Sequence, residues 1–146
     1  MSLAIFDLDN TLLGDDSDYL WGQFLVEQGL VDGEFYEREN RRFYDAYRAG
    51  TLDIHEFLAF MLRPLTEHPP ARLLDWRAQF LAEKIEPIIL PKAIALLERH
   101  RADGDTLLII TATNSFITAP IAERLGVSNL LATEVECIGG RYTGRP

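Results

Sequence analysis

Short apolar runs mark the strands that this chain is expected to form. LAIFDL at 3–8 and TLLIIT at 106–111 are each bounded by turn residues, and LLATEVE at 130–136 is a weaker third run. Continuous apolar runs of this length are typical of strands that are buried on both faces of a parallel sheet. The pattern therefore predicts an α/β fold whose core is a parallel sheet.

The chain between the first two strands has helical rather than strand periodicity. In DIHEFLAFML, Asp53 is a plausible helix cap, and the apolar residues that follow it recur at the spacing of one helix face: Ile54, Phe57, Leu58, Met61 and Leu62. Further helices are predicted over 17–29, 33–48 and 70–84. This stretch is much longer than a simple parallel crossover requires. We therefore expect a helical insertion over roughly residues 14–88.

The second half of the chain repeats the alternation of helix and strand. PKAIALLERHRADG at 91–104 starts with proline and stops at glycine, which is typical of a helix and predicts the crossover into the second strand. NSFITAPIAERLG predicts another helix, closed by Gly126, and CIGGRYTG predicts a short hairpin. The predicted division is a core of residues 1–13 and 89–146, with residues 14–88 inserted into it.

Composition narrows the range of partners. The chain has 146 residues, of which 47% are hydrophobic, and its 23 acidic against 14 basic residues give a net charge of −9. That charge disfavours nonspecific attraction to nucleic acid or to an anionic membrane. An anionic small molecule must therefore be held by local groups.

Cysteine content and hydropathy bear on the cellular location. Cys137 is the one cysteine, so neither an intrachain disulfide nor a cysteine metal cluster can form. No apolar run reaches the length of about 18 residues that a membrane span needs, and a strand beginning so close to Met1 leaves no room for a signal peptide. We expect a cytoplasmic protein.

Two aspartates close the first apolar run. Asp7 and Asp9 are two residues apart, so if the strand continues to that point both side chains leave the same face at its C-terminal end. Ligands bind at that end of open α/β sheets. An ionised carboxylate beside a buried strand is costly unless something pairs with it. The alternative is that Asp9, Asn10 and Thr11 form only a turn with local hydrogen bonds.

The wider pattern resembles a known family. FDLDNTLL resembles the first signature of the haloacid dehalogenase (HAD) superfamily of phosphohydrolases, Asp-x-Asp-x-Thr after an apolar strand, and LLIITATN resembles the second. The helical insertion matches the cap of that family. The phosphoserine-phosphatase-like branch, subfamily IB, is the most similar because its cap is a small helical bundle. The resemblance implies a HAD-like, Rossmann-like core with a helical cap.

The resemblance also implies roles for particular residues. Asp7 would be the nucleophile that becomes an aspartyl-phosphate, and Asp9 would be the general acid and base. Mg²⁺ would be bound by the Asp7 carboxylate and the Asp9 main-chain carbonyl. The Thr111 hydroxyl and the amides of Ala112 and Thr113 would hold the phosphate oxygens. For Thr111 the alternative is a strand-end hydroxyl bonded to the backbone.

The resemblance says less about the substrate than about the catalytic residues. Asp16 matches the acidic residue that holds the substrate amino group in the phosphoserine branch, although it could equally be a helix N-cap. The position of the cap arginine that holds the substrate carboxylate corresponds to Met61, and Arg63 is two residues away on a different helix face. This departure argues against phosphoserine as the substrate.

Two later parts of the family pattern are missing from the sequence. The family has a phosphate-binding lysine after the second signature and then a distal acidic motif that completes the Mg²⁺ site, but the last lysine here is Lys92 and the last aspartate is Asp105. We expect that the chain stops before the functional end of the protein and that its core is an N-terminal half.

The resulting hypothesis is an Mg²⁺-dependent phosphomonoesterase that acts on a small phosphorylated metabolite, the 146-residue chain alone being inactive. Two alternatives stay open. One is a phosphotransferase of the same family, which would pass the phosphoryl group to an alcohol. The other is a non-catalytic binding module, if the missing motifs are truly absent from the protein. The oligomeric state is not predicted.

Overall fold

The computed structural model describes all residues, Met1–Pro146, and contains a three-stranded parallel sheet. The strands are β1 (Leu3–Phe6), β2 (Thr106–Asn114) and β3 (Asn129–Thr133), in the spatial order β1-β2-β3. The predicted parallel α/β core is therefore confirmed. β1 ends two residues earlier than its apolar run, and β2 continues three residues further than predicted, with a register irregularity between Ile110 and Asn114.

Six α-helices and a short hairpin accompany the sheet. The helices are α1 (Ser17–Glu27), α2 (Gly33–Ala49), α3 (Ile54–Leu62), α4 (Pro70–Phe80), α5 (Pro91–Ala102) and α6 (Ser115–Arg124). A 3₁₀ turn, Arg63–Thr66, follows α3, and a π-helical turn, Leu81–Ile85, and a 3₁₀ turn, Glu86–Ile88, follow α4. The hairpin pairs β4 (Cys137–Ile138) with β5 (Arg141–Tyr142). All the predicted elements form.

The helix ends are set by the residues that the sequence suggested. The Asp53 side chain accepts hydrogen bonds from the amides of His55 and Glu56 at the start of α3. Pro91 occupies the first turn of α5, where its missing N–H costs nothing. Gly126 has a φ of 71° after α6, a left-handed conformation that glycine adopts without steric cost. Local sequence signals therefore fix these boundaries.

The chain divides into two compact units, which are described separately. The first contains Met1–Trp21 and Trp76–Glu134, and the second contains Gly22–Asp75 and Val135–Pro146. Helices α1 and α4 each contribute residues to both units. The predicted domains, 1–13 with 89–146 and the cap 14–88, stay a prediction.

In the first unit, helices cover one face of the sheet. Helices α5 and α6 pack against β2, and the side chains on that face, Phe6, Leu107 and Ile109, are buried. Trp21 packs edge-on against Phe80, with ring centroids 5.1 Å apart. Burial of large apolar side chains of this kind is the main source of stability in such a core.

The chain enters and leaves the helical insertion through paired segments of the first unit. The Gly14 amide donates to the Ile88 carbonyl at 2.8 Å, the Leu90 amide donates to the Leu12 carbonyl at 3.2 Å, and Leu13 forms an antiparallel bridge with Ile89. Residues 12–14 and 88–90 are thus tied together. This pairing fixes the chain just before the start of α1.

The second unit has an aromatic core built from α2 and α3. Phe43 and Tyr36 on α2 pack against Phe60 on α3, with centroid distances of 5.2 and 4.8 Å. Gly22 is required for one close approach, because a Cβ at that position would lie 2.7 Å from the Tyr36 hydroxyl. Met61 is buried here, with 5% of its surface exposed.

None of the helices combines the length and apolar character needed to cross a bilayer.

The second face of the sheet is open and apolar. By strand alternation and register, one face carries four large apolar side chains that are 42–58% exposed: Leu3, Ile5, Ile110 and Leu131. β1 also lies at the edge of the sheet. Parallel sheets are almost always covered on both faces, and exposed apolar strand edges promote association.

We predict that residues 1–146 expressed alone self-associate through this surface, and sedimentation velocity would measure the effect. Ile5→Lys and Ile110→Lys should reduce association because each places a charge on the exposed face, whereas Tyr47→Lys, at an exposed position of α2, should not. A monodisperse monomer for the unsubstituted chain would contradict the prediction.

Candidate active site

The loop after β1 turns sharply and carries the first two aspartates. The Leu8 carbonyl accepts hydrogen bonds from the amides of Thr11, Leu12 and Leu13, which closes the turn. Asn10 has a φ of 57°, a left-handed conformation that asparagine tolerates better than most side chains. The side chains of Asp7 and Asp9 were expected to leave the same face only if the strand continued to both residues. It does not continue that far, because β1 ends at Phe6. Their positions are set by this turn and by side-chain hydrogen bonds.

Asp9 receives hydrogen bonds on both carboxylate oxygens. Its Oδ1 accepts from the Ser17 amide at 2.7 Å and from the Ser17 hydroxyl at 2.6 Å. Its Oδ2 accepts from the Thr113 hydroxyl at 2.8 Å and, more weakly, from the Thr111 hydroxyl at 3.4 Å. Ser17 is fully buried, and hydrogen bonds to a carboxylate are stronger than neutral ones. Asp9 is therefore held between the start of α1 and the end of β2.

Asp7 is more exposed and less constrained. Its Oδ2 accepts one hydrogen bond, from the Thr11 hydroxyl at 3.1 Å, and its Oδ1 accepts none. The side chain is exposed, in contrast to the half-buried Asp9. Asp7 thus keeps an accessible carboxylate oxygen for a ligand or a reaction.

The second signature contacts the first through the side chains of its two threonines. Thr111 and Thr113 are buried, Ala112 is exposed, and the Thr113 amide donates to the Thr111 hydroxyl at 3.2 Å. Asn114 caps α6 by accepting from the Ile117 amide at 3.3 Å. The structure therefore brings Thr111 and Thr113 to Asp9. The hydroxyl of Thr113 makes this contact, whereas the sequence analysis assigned a role to its amide.

Asp16 lies at the start of α1. Its Oδ1 accepts from the Tyr19 amide at 2.9 Å, and the Asp15 side chain accepts from the Asp16 amide at 2.7 Å. The N-cap alternative for Asp16 is thus realised in the structure. Burial, with the neighbouring charges of Asp9 and Asp15 adding to it, raises the pKa of Asp16 above its ordinary value.

Asp18 is a fifth carboxylate in this region, and the sequence analysis did not single it out. Its Oδ1 is buried and has no hydrogen-bond partner. Burial, with the charges of Asp16 and Asp9 adding to it, raises the pKa of Asp18 to about 7. Most buried polar atoms in proteins have a partner, so this oxygen requires an explanation.

Basic side chains do not neutralise these acids. The ion pairs of the structure include none of Asp7, Asp9, Asp16 or Asp18, and Arg124 instead forms a surface pair with Glu86. Arg77 of α4 donates to the carbonyl of Phe116 in α6 at 3.0 Å and lies over the Phe116 ring. No ion pair within the chain therefore neutralises these four carboxylates.

The cluster of Asp7, Asp9, Asp16 and Asp18 has oxygen donors that suit Mg²⁺. Mg²⁺ prefers oxygen ligands and is often bound by one or two carboxylates, with waters and substrate phosphate completing its coordination. Asp7 offers an accessible carboxylate oxygen, which fits such a site. No group of three or more His, Cys, Asp or Glu side chains is arranged to hold a metal by itself. The residues present fit part of a magnesium site.

Comparison with known proteins agrees with this arrangement. The model of the haloacid dehalogenase-like hydrolase family matches residues 4–146. This chain belongs to that family. The resemblance to the HAD superfamily and the expected HAD-like, Rossmann-type fold are therefore confirmed.

Three relatives illustrate the similarity. The chain is 44% identical over 144 residues to a histidinol-phosphatase of Neisseria meningitidis serogroup C (strain 8013), covering 98% of this chain and 65% of that protein. A crystal structure of a protein of unknown function from Bordetella pertussis Tohama I has a TM-score of 0.92 and 43% identity, over 99% of this chain and 65% of that one.

The third relative supports the fold alone. A substrate-bound phosphoserine phosphatase has a TM-score of 0.65 and 17% identity, over 99% of this chain and 61% of that one. This chain therefore spans slightly less than two thirds of the length of each of these relatives.

We predict that Asp18→Asn stabilises the protein more at pH 8 than at pH 5. An acid whose pKa is raised on folding, here from 3.8 to about 7, destabilises the folded state progressively as the pH rises through that window. The asparagine amide removes this penalty, which reaches at most about 4 kcal/mol above pH 7.

Thermal or urea unfolding without Mg²⁺ at the two pH values would measure the difference. Asp75→Asn, on the exposed surface of α4, is the matched control and should show no such pH-dependent gain. An equal effect of Asp18→Asn at both pH values would contradict the prediction.

Proposed function

We propose that the protein containing this chain is an Mg²⁺-dependent phosphomonoesterase that acts on a small phosphorylated metabolite through an aspartyl-phosphate. One observation carries the proposal: Asp9 accepts hydrogen bonds from Thr111 and Thr113, more than a hundred residues later in the chain. The two signatures of the family thus converge on one carboxylate beside the accessible Asp7. Membership of a hydrolase family with phosphatase-named relatives agrees with it.

In the first step, a carboxylate oxygen of Asp7 attacks the phosphorus atom. The bond between phosphorus and the ester oxygen breaks, and the leaving alkoxide takes a proton from Asp9. The exposed Oδ1 of Asp7, which accepts no hydrogen bond, suits a nucleophile. The hydrogen bonds from Ser17 and Thr113 hold Asp9 in a fixed orientation for proton transfer.

In the second step, water attacks the phosphorus atom of the aspartyl-phosphate while Asp9 takes its proton. The bond between phosphorus and the Asp7 oxygen breaks, which releases inorganic phosphate and restores the carboxylate. Asp9 therefore returns to its starting protonation state, and the cycle balances. The same residue serves as acid and then as base.

The phosphate oxygens are proposed to be held by the Thr111 hydroxyl and the amides of Ala112 and Thr113, and on binding the Thr113 amide would exchange its hydrogen bond to the Thr111 hydroxyl for one to the phosphate. These residues lie immediately before α6, whose first amides carry partial positive charge. When bound, Mg²⁺ offsets the negative charge of the phosphoryl group, with the Asp7 carboxylate and the Asp9 main-chain carbonyl as its protein ligands. The positive charge matters because a carboxylate and a phosphate charge repel by roughly 4 kcal/mol at about 4 Å in an effective dielectric near 20.

For the substrate, we propose an amino-alcohol phosphate such as histidinol phosphate. The 44% identity to the Neisseria protein named histidinol-phosphatase supports this choice. Phosphoserine carries a carboxylate that needs a cation, whereas the position that corresponds to the family's cap arginine is the buried, apolar Met61. Arg63, two residues later, is paired with Glu67.

A cytoplasmic location stays a prediction, which rests on the single cysteine, Cys137.

We predict that Asp7→Asn abolishes hydrolysis of para-nitrophenyl phosphate by the full-length protein. The amide is a poor nucleophile and loses the charge that would bind Mg²⁺. Asp75→Asn is the control for a lost surface carboxylate, and circular dichroism should show that both variants fold. Turnover equal to that of the unsubstituted protein would refute the assignment of Asp7.

Asp9→Asn should lower kcat/KM by about 10²- to 10⁴-fold for an alkyl phosphate, the usual range for loss of a general acid or base. The loss should be smaller for para-nitrophenyl phosphate because its leaving group departs as a stable anion without protonation. Steady-state assays with n-propyl phosphate and para-nitrophenyl phosphate measure the two effects. An equal loss for both substrates would show that Asp9 is not the proton donor to the leaving group.

A further inference from the structure

A proline inside α6 leaves one main-chain carbonyl of that helix without its usual donor. In an α-helix the amide of each residue donates to the carbonyl four residues earlier. Pro120 has no amide hydrogen, so it cannot supply the bond that the Phe116 carbonyl would otherwise receive. Phe116 is buried, with 3% of its surface exposed, and a buried carbonyl without a donor is costly. This carbonyl therefore needs a donor from outside the helix.

Arg77 of α4 supplies that donor. Its guanidinium Nη1 donates to the Phe116 carbonyl at 3.0 Å, and its Cζ atom lies 4.8 Å from the centroid of the Phe116 ring. The same ring contacts Trp21, with centroids 5.8 Å apart. All of these residues belong to the first compact unit. A side chain 39 residues earlier in the chain thus replaces the hydrogen bond that Pro120 cannot make.

The guanidinium of Arg77 is committed to this contact. Arg77 is half-buried, and it forms no ion pair with any carboxylate of the chain. A hydrogen bond from a charged donor is stronger than one between neutral groups. Because no acid draws Arg77 elsewhere, its orientation is set by the carbonyl and the ring of Phe116.

The first turn of α6 is continuous with the proposed phosphate site. Thr113, one of the residues proposed to hold the phosphate, is followed directly by Asn114, the N-cap of α6. Asn114 Oδ1 accepts from the Ile117 amide at 3.3 Å, and the Asn114 carbonyl accepts from the Thr118 hydroxyl at 3.0 Å. Phe116 lies within the turn that these bonds close. A shift of that turn would therefore move the amides proposed to bind phosphate.

We propose that Arg77 is a positioning residue of the phosphate site: it replaces the donor that Pro120 lacks and so fixes the first turn of α6 and the loop before it. This inference rests on the proposed function, which it deepens by naming what holds the phosphate-binding loop in place. Precise placement matters because a displacement of about 1 Å can cost up to about 100-fold in rate. Arg77 acts through the Phe116 carbonyl and not on the phosphate itself.

Two substitutions test this role in the full-length protein with Mg²⁺. Arg77→Met removes the donor and keeps an apolar stem over the Phe116 ring, whereas Pro120→Ala restores an amide that can donate to the Phe116 carbonyl within the helix. The readouts are the inhibition constant of inorganic phosphate and the separate kcat and KM values for para-nitrophenyl phosphate. We expect Arg77→Met to raise the inhibition constant and KM about 3- to 10-fold and to change kcat less than about threefold, the pattern of lost uniform binding.

The double variant is the decisive comparison. In the Pro120→Ala background the Phe116 carbonyl has a donor of its own, so Arg77→Met should raise the inhibition constant less than about twofold. Thermal unfolding should likewise show that Arg77→Met lowers the Tm less in that background. Arg99→Met removes the same charge from an exposed position of α5, and this matched control should leave the constants within about twofold.

An unchanged inhibition constant in Arg77→Met would overturn the inference. An equal rise in both backgrounds would overturn it too, because Arg77 would then act by its charge and not through the carbonyl. So would a loss confined to kcat, which would exclude a role in phosphate binding.

If Arg77→Met does not fold, the single variant Pro120→Ala is compared with the double variant. Equal inhibition constants support the inference, and weaker phosphate affinity in the double variant overturns it. Failure of the double variant to fold would also overturn it, because Arg77 would then be needed for a reason other than the carbonyl.

Failure of the proposed function has a different signature. In that case the unsubstituted protein does not hydrolyse para-nitrophenyl phosphate, and calorimetric titration with inorganic phosphate replaces the inhibition constant. The same loss and rescue of phosphate affinity would then support the role of Arg77 without the hydrolytic activity. Hydrolysis without that pattern would overturn the inference and leave the proposed function standing, whereas absence of phosphate binding to the unsubstituted protein would overturn both.

Discussion

The constraint on which this site depends is the crowding of negative charge around Asp9. Five aspartates lie between residues 7 and 18, and the ion pairs of the structure neutralise none of the four nearest the proposed chemistry. Each close pair of like charges costs free energy, and burial increases that cost. Burial is the main cause of the raised pKa values of Asp16 and Asp18, and the neighbouring acidic groups add to it. No ion pair within the chain offsets this charge, so any compensating positive charge would come from bound groups.

The fold limits this cost by supplying neutral donors. Ser17 and Thr113 donate to Asp9, the Tyr19 amide donates to Asp16, and the start of α1 brings the positive end of the helix dipole to the acids. These neutral donors stabilise the carboxylates without forming salt bridges with them. Donors of this kind leave the net charge of the carboxylates intact, so the proposed Mg²⁺ and a cationic substrate group would still be attracted.

Much of the fold was predictable from the sequence because the signals are local. Apolar runs, the cap at Asp53 and the glycine after α6 each act within a few residues, and the corresponding elements form. The strand end at Phe6 was not predictable from hydropathy, since Leu8 is equally apolar but belongs to the turn. Thr111 could be assigned to the site through the family pattern. Its approach to Asp9 depends on the pairing of β1 with β2, which is a long-range contact.

Asp18 shows why the rest of the site could not be inferred from sequence. In DDSD, all three aspartates are ordinary candidates for the first turn of a helix, and no spacing rule distinguishes them. Hydrogen bonding distinguishes them: Asp15 and Asp16 accept backbone amides, whereas Asp18 keeps an oxygen that neither solvent nor protein satisfies. For the proposed amino-alcohol phosphate, the cationic end would be attracted by these carboxylates, whereas the anionic end would need Mg²⁺ to overcome repulsion from Asp7. Charge on such a substrate would then favour one orientation in the site before any chemistry occurs.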